Sequence, residues 1–148
     1  MQKIFNTSFE VSLRLLLLLA AADGQAMTVD RIAAYDFITI YSKDFKLSET
    51  SLHGDNEFGL SEFASRRHSS QMALRELVLD GAVKATSTKQ GFCYMITTVG
   101  QGAAQRMNTQ YAVDYKKLVK ITMERFRRLA DVEVLAMIND TSQDSIRR

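Results

Sequence analysis

A chain of 148 residues, 46% apolar and 24% charged, has the size and balance of one globular domain and is not a disordered polypeptide. Its net charge of +2 provides no global field to drive it onto nucleic acid or membrane, so any such contact must come from a local patch. The single cysteine, Cys93, excludes an intrachain disulfide and points to a reducing compartment, and the absence of proline permits long uninterrupted helices.

The first helix is predicted from Ser8 to Asp23, with Ser8 as N-cap, Glu10 at the positive end of the dipole and Asp23-Gly24 as the stop. Within it, Leu15 to Ala22 reads LLLLLAAA, eight apolar residues where a membrane span needs about 20. Ala20-Ala21-Ala22 imitates a signal-peptide cleavage box. Using it would leave only five leucines as apolar region, fewer than the usual 7 or so, and Glu10 precedes them. A helix buried on most sides accounts for the run better.

A second helix is expected from the N-cap Thr28 to near Ser42, with Val29, Ile32, Ala33, Phe37 and Ile40 at helical spacing. Asp36 shares that face and is expected to cap or pair at the edge of the core. Tyr41 to Asn56 reads as a loop. A third helix should begin near Ser61, bury Ala64, Leu74, Leu77 and Val78, and stop at Gly81. Ala82 to Ser87 and Phe92 to Thr98 are strand-like and flank a hairpin turn at Lys89-Gln90-Gly91.

Beyond Gly102, Ala104, Met107, Tyr111, Tyr115, Leu118, Thr122, Phe126 and Leu129 recur every three or four residues. That predicts one helix of about 30 residues and about 45 Å. Such a length overruns a domain of this size. Tyr111, Tyr115, Leu118, Phe126 and Leu129 are therefore expected to form an exposed partner-binding surface. Asn139 to Arg148 reads as a polar tail. The expected fold class is mainly α: a winged helix-turn-helix with three helices and a two-stranded wing over residues 1–102, a long C-terminal helix over 103–138, and a tail over 139–148.

The segment HGDNEFGLSEFASRR, His53 to Arg67, raises the question of chemistry. His53, Asp55 and Glu57 fall short of a metal-ligand set, because His68 and Cys93 lack motif spacing. An Asx-type turn at Asp55-Asn56 between glycines explains the pattern. Neither a phosphate loop nor a nucleophile–base pair is legible, so no cofactor and no enzymatic activity are expected. Arg66, Arg67 and His68 open the would-be recognition helix, and Lys84 and Lys89 sit on the wing; these are DNA-binding candidates, diluted by Glu62, Glu76 and Asp80. A denser patch follows. Lys116, Lys117, Lys120, Arg125, Arg127 and Arg128 stand against Asp114 and Glu124, six cations to two anions and a net of +4. Such a face can be simply solvated, or can meet DNA or an acidic protein surface.

FNTSFEVSLRLLLLLAAADG, YDFITIYSKDF, LHGDNEFGLSEFASRR, LVLDGAV and GFCYMITTVG, in that order, resemble one family over Phe5 to about Tyr115. It is the small middle component of ABC-three-component systems, the bacterial anti-phage group that includes Lamassu. The resemblance implies a small winged-helix protein encoded with an SMC-like ATPase, expected as a dimer, and a separate effector, often a nuclease. It further implies a cytoplasmic, non-enzymatic adaptor that meets double-stranded DNA through the complex and has no membrane partner. The residues themselves leave a second reading open, a free-standing winged-helix DNA-binding transcriptional regulator.

Overall fold

The computed structural model describes residues 7–54 and 59–147, with the backbone alone at 59–61 and 142–147. Among the described residues six helices and a three-stranded antiparallel sheet follow one another as α1 (Ser8–Ala21), β1 (Met27–Thr28), α2 (Val29–Ile40), α3 (Gly59–Leu79), β2 (Val83–Thr88), β3 (Gly91–Ile96), α4 (Thr98–Gln105), α5 (Gln110–Phe126) and α6 (Asp131–Arg147). The chain is mainly helical, as expected.

Helix α1 runs through the middle. Helices α2, α3, α4 and α5 all pack on it, so Leu15 to Leu19 are buried on every side. Its N-cap is Thr7 rather than Ser8: the Thr7 hydroxyl accepts from the Glu10 amide at 3.1 Å. Asp23 and Gly24, with φ of 54° and 84°, turn the chain out of the helix. Two residues later comes a strand that the sequence did not announce. Met27 and Thr28 pair with Tyr94 and Cys93, which makes the sheet three-stranded in the order β1-β3-β2. Two residues are too few to show a strand's alternation. Thr28 then doubles as the N-cap of α2, accepting from the Arg31 amide at 3.1 Å.

Helix α3 starts at Gly59, so Ser61 lies inside it and is not the cap. Leu74 and Leu77 are buried as expected, but Ala64 is exposed. Gly81, at φ 78°, closes α3 and sends the chain into the hairpin. Strands β2 and β3 pair from Val83↔Ile96 to Thr88↔Gly91. Thr97 then joins the pieces: its hydroxyl donates to the Gly81 carbonyl at 2.7 Å and accepts from the Gly100 amide at 3.1 Å, capping α4.

The single long C-terminal helix is overturned. The chain breaks at 106–109 and again at 127–130, giving α4, α5 and α6. Thr109 caps α5 by accepting from the Ala112 amide, and Glu133 reaches back to the Ala130 amide at 2.7 Å, half of a capping box. The breaks let α5 lie on α1 and α2, and let α6 fold back over α2 and α3. Residues 139–147, expected as a tail, continue α6. The apolar period stayed in phase across both breaks, and neither glycine nor proline marks them.

Candidate functional site

Arg14 interrupts the apolar run of α1, and Asp36 interrupts that of α2. They meet in the core. Arg14 Nε and a terminal nitrogen donate to the two Asp36 carboxylate oxygens at 2.9 and 3.1 Å. The Tyr115 hydroxyl of α5 donates to the same carboxylate at 2.7 Å. Arg14 and Asp36 are each 1% exposed and Tyr115 is fully buried, so the pair belongs to the centre of the core and not to its edge.

Around it lies a second layer. His53 Nε2 and the Tyr111 hydroxyl are 2.6 Å apart, and Tyr111 stacks on Tyr115. The Tyr41 hydroxyl donates to Glu62 at 2.6 Å. Arg66 donates to that same carboxylate and, at 3.1 Å, to the Tyr41 oxygen. Four helices and the loop after α2 are thereby tied together.

The electrostatics follow from the burial. Burial alone would raise the Asp36 carboxyl, but the charge and hydrogen bonds of Arg14 outweigh it and hold Asp36 below the ordinary carboxylate range. Burial works against the charge on Arg14, yet Asp36 keeps its pKa raised. Burial, and then Glu62, push the Tyr41 hydroxyl up to about 12. Burial, reinforced by the charge of Arg14, lowers His53 to about 3. Asp36 is thus locked as an anion and His53 as a neutral ring. Both hold position, and neither is poised to exchange protons near neutral pH.

The α3 candidates fare unequally. Arg66 is 8% exposed and spent on Glu62 and Tyr41, so its assignment as a DNA contact is corrected to an internal brace. Arg67 is half-exposed but donates to Asp30, fastening α3 to the start of α2. His68 remains exposed, as do Lys84 on β2 and Lys89 on the hairpin turn. The outward stripe of α3 is His68, Met72, Arg75 and Leu79, at spacings of four, three and four. Met72 and Leu79 are apolar and open, so the stripe is mixed rather than basic. Position near the helix start had selected Arg66 and Arg67. The helix face, which decides exposure, selects His68, Gln71 and Arg75 instead.

The partner surface expected past Gly102 is also corrected. Tyr115 and Phe126 are core residues, and Tyr111, Leu118 and Leu129 are half-buried. Packing of α5 on α1 and α2 buries the apolar face that was expected to protrude. The opposite face of α5 carries Lys117, Lys120 and Arg125 exposed, with Ile121 among them, and Arg128 is exposed in the turn that follows. Lys116 bends to the Met107 carbonyl at 3.0 Å, and Arg127 sits 3.6 Å from Glu124.

Arg31 holds the turn between α5 and α6. It donates to Asp131 at 2.7 Å, to the Tyr35 hydroxyl, and to the carbonyls of Phe126 and Leu129. A cleft of about 640 Å³ opens beside it, between the hairpin, the start of α2 and this turn. The charged groups that line it, Arg31 with Asp131 and Arg67 with Asp30, are spent on one another. Among the described residues no three of His, Cys, Asp and Glu come together as a metal site, and Asp55, Asn56 and Glu57 lie outside them. Among the described residues no helix is long and apolar enough to cross a membrane.

Residues 4–148 match the family model of the ABC-three component (ABC-3C) system Middle Component 2. That match extends the similarity through the C-terminal helices, beyond Tyr115, where the resemblance read from the sequence ends. No curated protein and no solved structure matches the chain.

Proposed function

The chain belongs to the Middle Component 2 family of ABC-three-component systems, and from that premise we propose that it is a non-enzymatic adaptor of an anti-phage complex, seated between a dimeric SMC-like ATPase and an effector such as a nuclease. The family match over residues 4–148 carries this reading. The interior supports it: the titratable groups of the buried cluster are paired with one another and leave no convergent set for a substrate. The order α1-β1-α2-α3-β2-β3, with strands arranged β1-β3-β2, supports a winged-helix lineage, with α3 as the counterpart of a recognition helix.

In this reading the stripe of α3 faces protein. Met72 and Leu79 are open apolar side chains with Arg75 between them, a composition closer to a protein interface than to a phosphate-binding face. They replace the buried C-terminal aromatics as the surface offered to the ATPase. A regulator reading operator DNA would want the arginines near the start of this helix free, and Arg66 and Arg67 are engaged.

Co-expression with the neighbouring ATPase and effector, followed by pull-down, tests the proposal in the cytoplasmic setting where the complex would act. The adaptor reading expects co-purification, lost on Met72→Asp with Leu79→Asp while the isolated variant stays folded. A homodimer that binds a defined operator and ignores the ATPase would establish the regulator instead.

A further inference from the structure

We propose that the outer face of α5 is a sequence-independent grip for the phosphate backbone of double-stranded DNA, separate from the α3 stripe. The inference rests on the adaptor reading for its setting, but its chemistry stands on the α5 face alone.

The buried arginines are committed. Arg14 pairs with Asp36, Arg31 with Asp131 and Arg66 with Glu62. On α5 the situation is reversed. Lys117, Lys120 and Arg125, and Arg128 in the turn just after the helix, are exposed, and among the described residues none of them has a carboxylate partner. The helical positions of Lys117, Lys120 and Arg125 place these three within one outward arc, because the inward arc is taken by Ala112, Tyr115, Val119, Thr122 and Phe126. The two acids nearby are already occupied: Glu124 faces Arg127 at 3.6 Å, and Asp114 accepts from Gln110 at 2.8 Å.

From Lys117 to Arg125 the helix advances about 12 Å, over which one strand of a duplex presents about four phosphates, and Arg128 follows in the turn just beyond. Long, unpaired side chains on a convex rod are what a backbone contact requires, and among the described residues no amide or hydroxyl side chain stands with the four cations to read base edges.

The same face suits other anionic partners poorly. A protein interface wants an apolar centre and is depleted in lysine, whereas Ile121 is the one open apolar side chain among these cations, at 43% exposure. A membrane-surface helix needs a broad apolar face free to enter the bilayer, and that of α5 is buried against α1 and α2.

The test uses the full chain and a fluorescently labelled duplex of arbitrary sequence, followed by anisotropy from about 50 to 200 mM salt. Four phosphate contacts predict a slope of log affinity against log salt near −3.6, and so a loss of about 150-fold across that range. The variant Lys117→Gln/Lys120→Gln/Arg125→Gln/Arg128→Gln should lose essentially all binding. The pairwise variants Lys117→Gln/Lys120→Gln and Arg125→Gln/Arg128→Gln should each reduce the slope by about 1.8. Thermal unfolding checks that each variant is folded; if the quadruple variant is not, the pairwise slopes decide. His68→Ala/Arg75→Gln on α3 should leave binding unchanged.

Three results would overturn the proposal: no duplex binding by the parent at low salt, parental binding by the folded α5 variants, or loss caused by the α3 variant instead. Capture of vesicles rich in anionic lipid, dependent on the same four cations and without duplex binding, would assign the face to a membrane and also overturn it. Pull-down of the quadruple variant with the ATPase reports on the adaptor reading separately. Co-purification without DNA binding leaves that reading intact, while DNA binding without co-purification by the parent removes it and leaves the grip.

Discussion

Replacing Asp36 with asparagine should be among the most damaging isosteric changes available to this chain. The side chain keeps its shape, so no cavity opens. What changes is that the Arg14 guanidinium, 1% exposed, loses its counter-charge while the three donors that faced the carboxylate remain. Removing one partner of a buried ion pair costs about 3–5 kcal/mol, because the surviving charge stays desolvated. A domain of this size has about 5–15 kcal/mol in all. With a urea dependence of about 2 kcal/mol per molar, the unfolding midpoint should fall by about 2 M. Circular dichroism at a helical wavelength follows the transition well in a chain so rich in helix. The companion variant Arg14→Met/Asp36→Leu/Tyr115→Phe removes the ion pair and the hydroxyl that donates to it together. It should lie within about 2 kcal/mol of the parent or above it, since well-packed apolar replacements of a buried pair are often neutral or stabilising. A single variant within about 0.5 M of the parental midpoint would refute the reasoning, as would a triple variant no more stable than the single one.

His53 predicts an acid-side loss of stability. Its pKa is lowered from 6.5 to about 3 in the folded chain, so the unfolded chain binds more protons between those values, and stability present above pH 6.5 drains as pH falls towards 3. Unfolding free energies from urea titrations between pH 7 and pH 5 should decline by about 1 kcal/mol per pH unit below pH 6, and His53→Gln should flatten that decline; an unchanged decline in the variant would clear His53. Gly100→Ala should cost about 3 kcal/mol or more, because its Cβ would stand 2.2 Å from the Ala82 carbonyl oxygen and 2.7 Å from Ile96. Gly102→Ala, whose nearest neighbour is the Arg106 side chain at 3.5 Å, should be neutral or stabilise by about 1 kcal/mol. Thermal melts of the two compare them directly, and equal melting points would contradict the packing described.

Local signals were enough to place much of this chain. Five leucines in a row specified a helix buried on all sides. Thr28, a small polar residue before an apolar period, specified a cap, and Gly81 a stop, because only glycine takes its φ of 78° without strain. The hairpin around Lys89-Gln90 was legible from strand-like runs on either side of a turn. These features depend on residues a few positions apart, and the quoted motifs carried the family in the same way.

Tertiary structure decided what depends on distant partners. The breaks on either side of α5 leave no punctuation, because the apolar face of one continuous helix and the faces of three packed helices share the same period. The second break is held by Arg31, which lies 100 residues before Asp131 and takes up the carbonyls the interrupted helix releases. For the same reason Tyr115 and Phe126, legible as apolar, were not legible as buried: their covering comes from α1 and α2. Arg66 and Lys120 look alike in sequence as cations on a helix. One turns inward to Glu62 and Tyr41 and becomes a brace, while the other faces water without a carboxylate partner. Only the packing of the neighbouring helices distinguishes them, since burial is a property of the space around a side chain and not of the residue that occupies it.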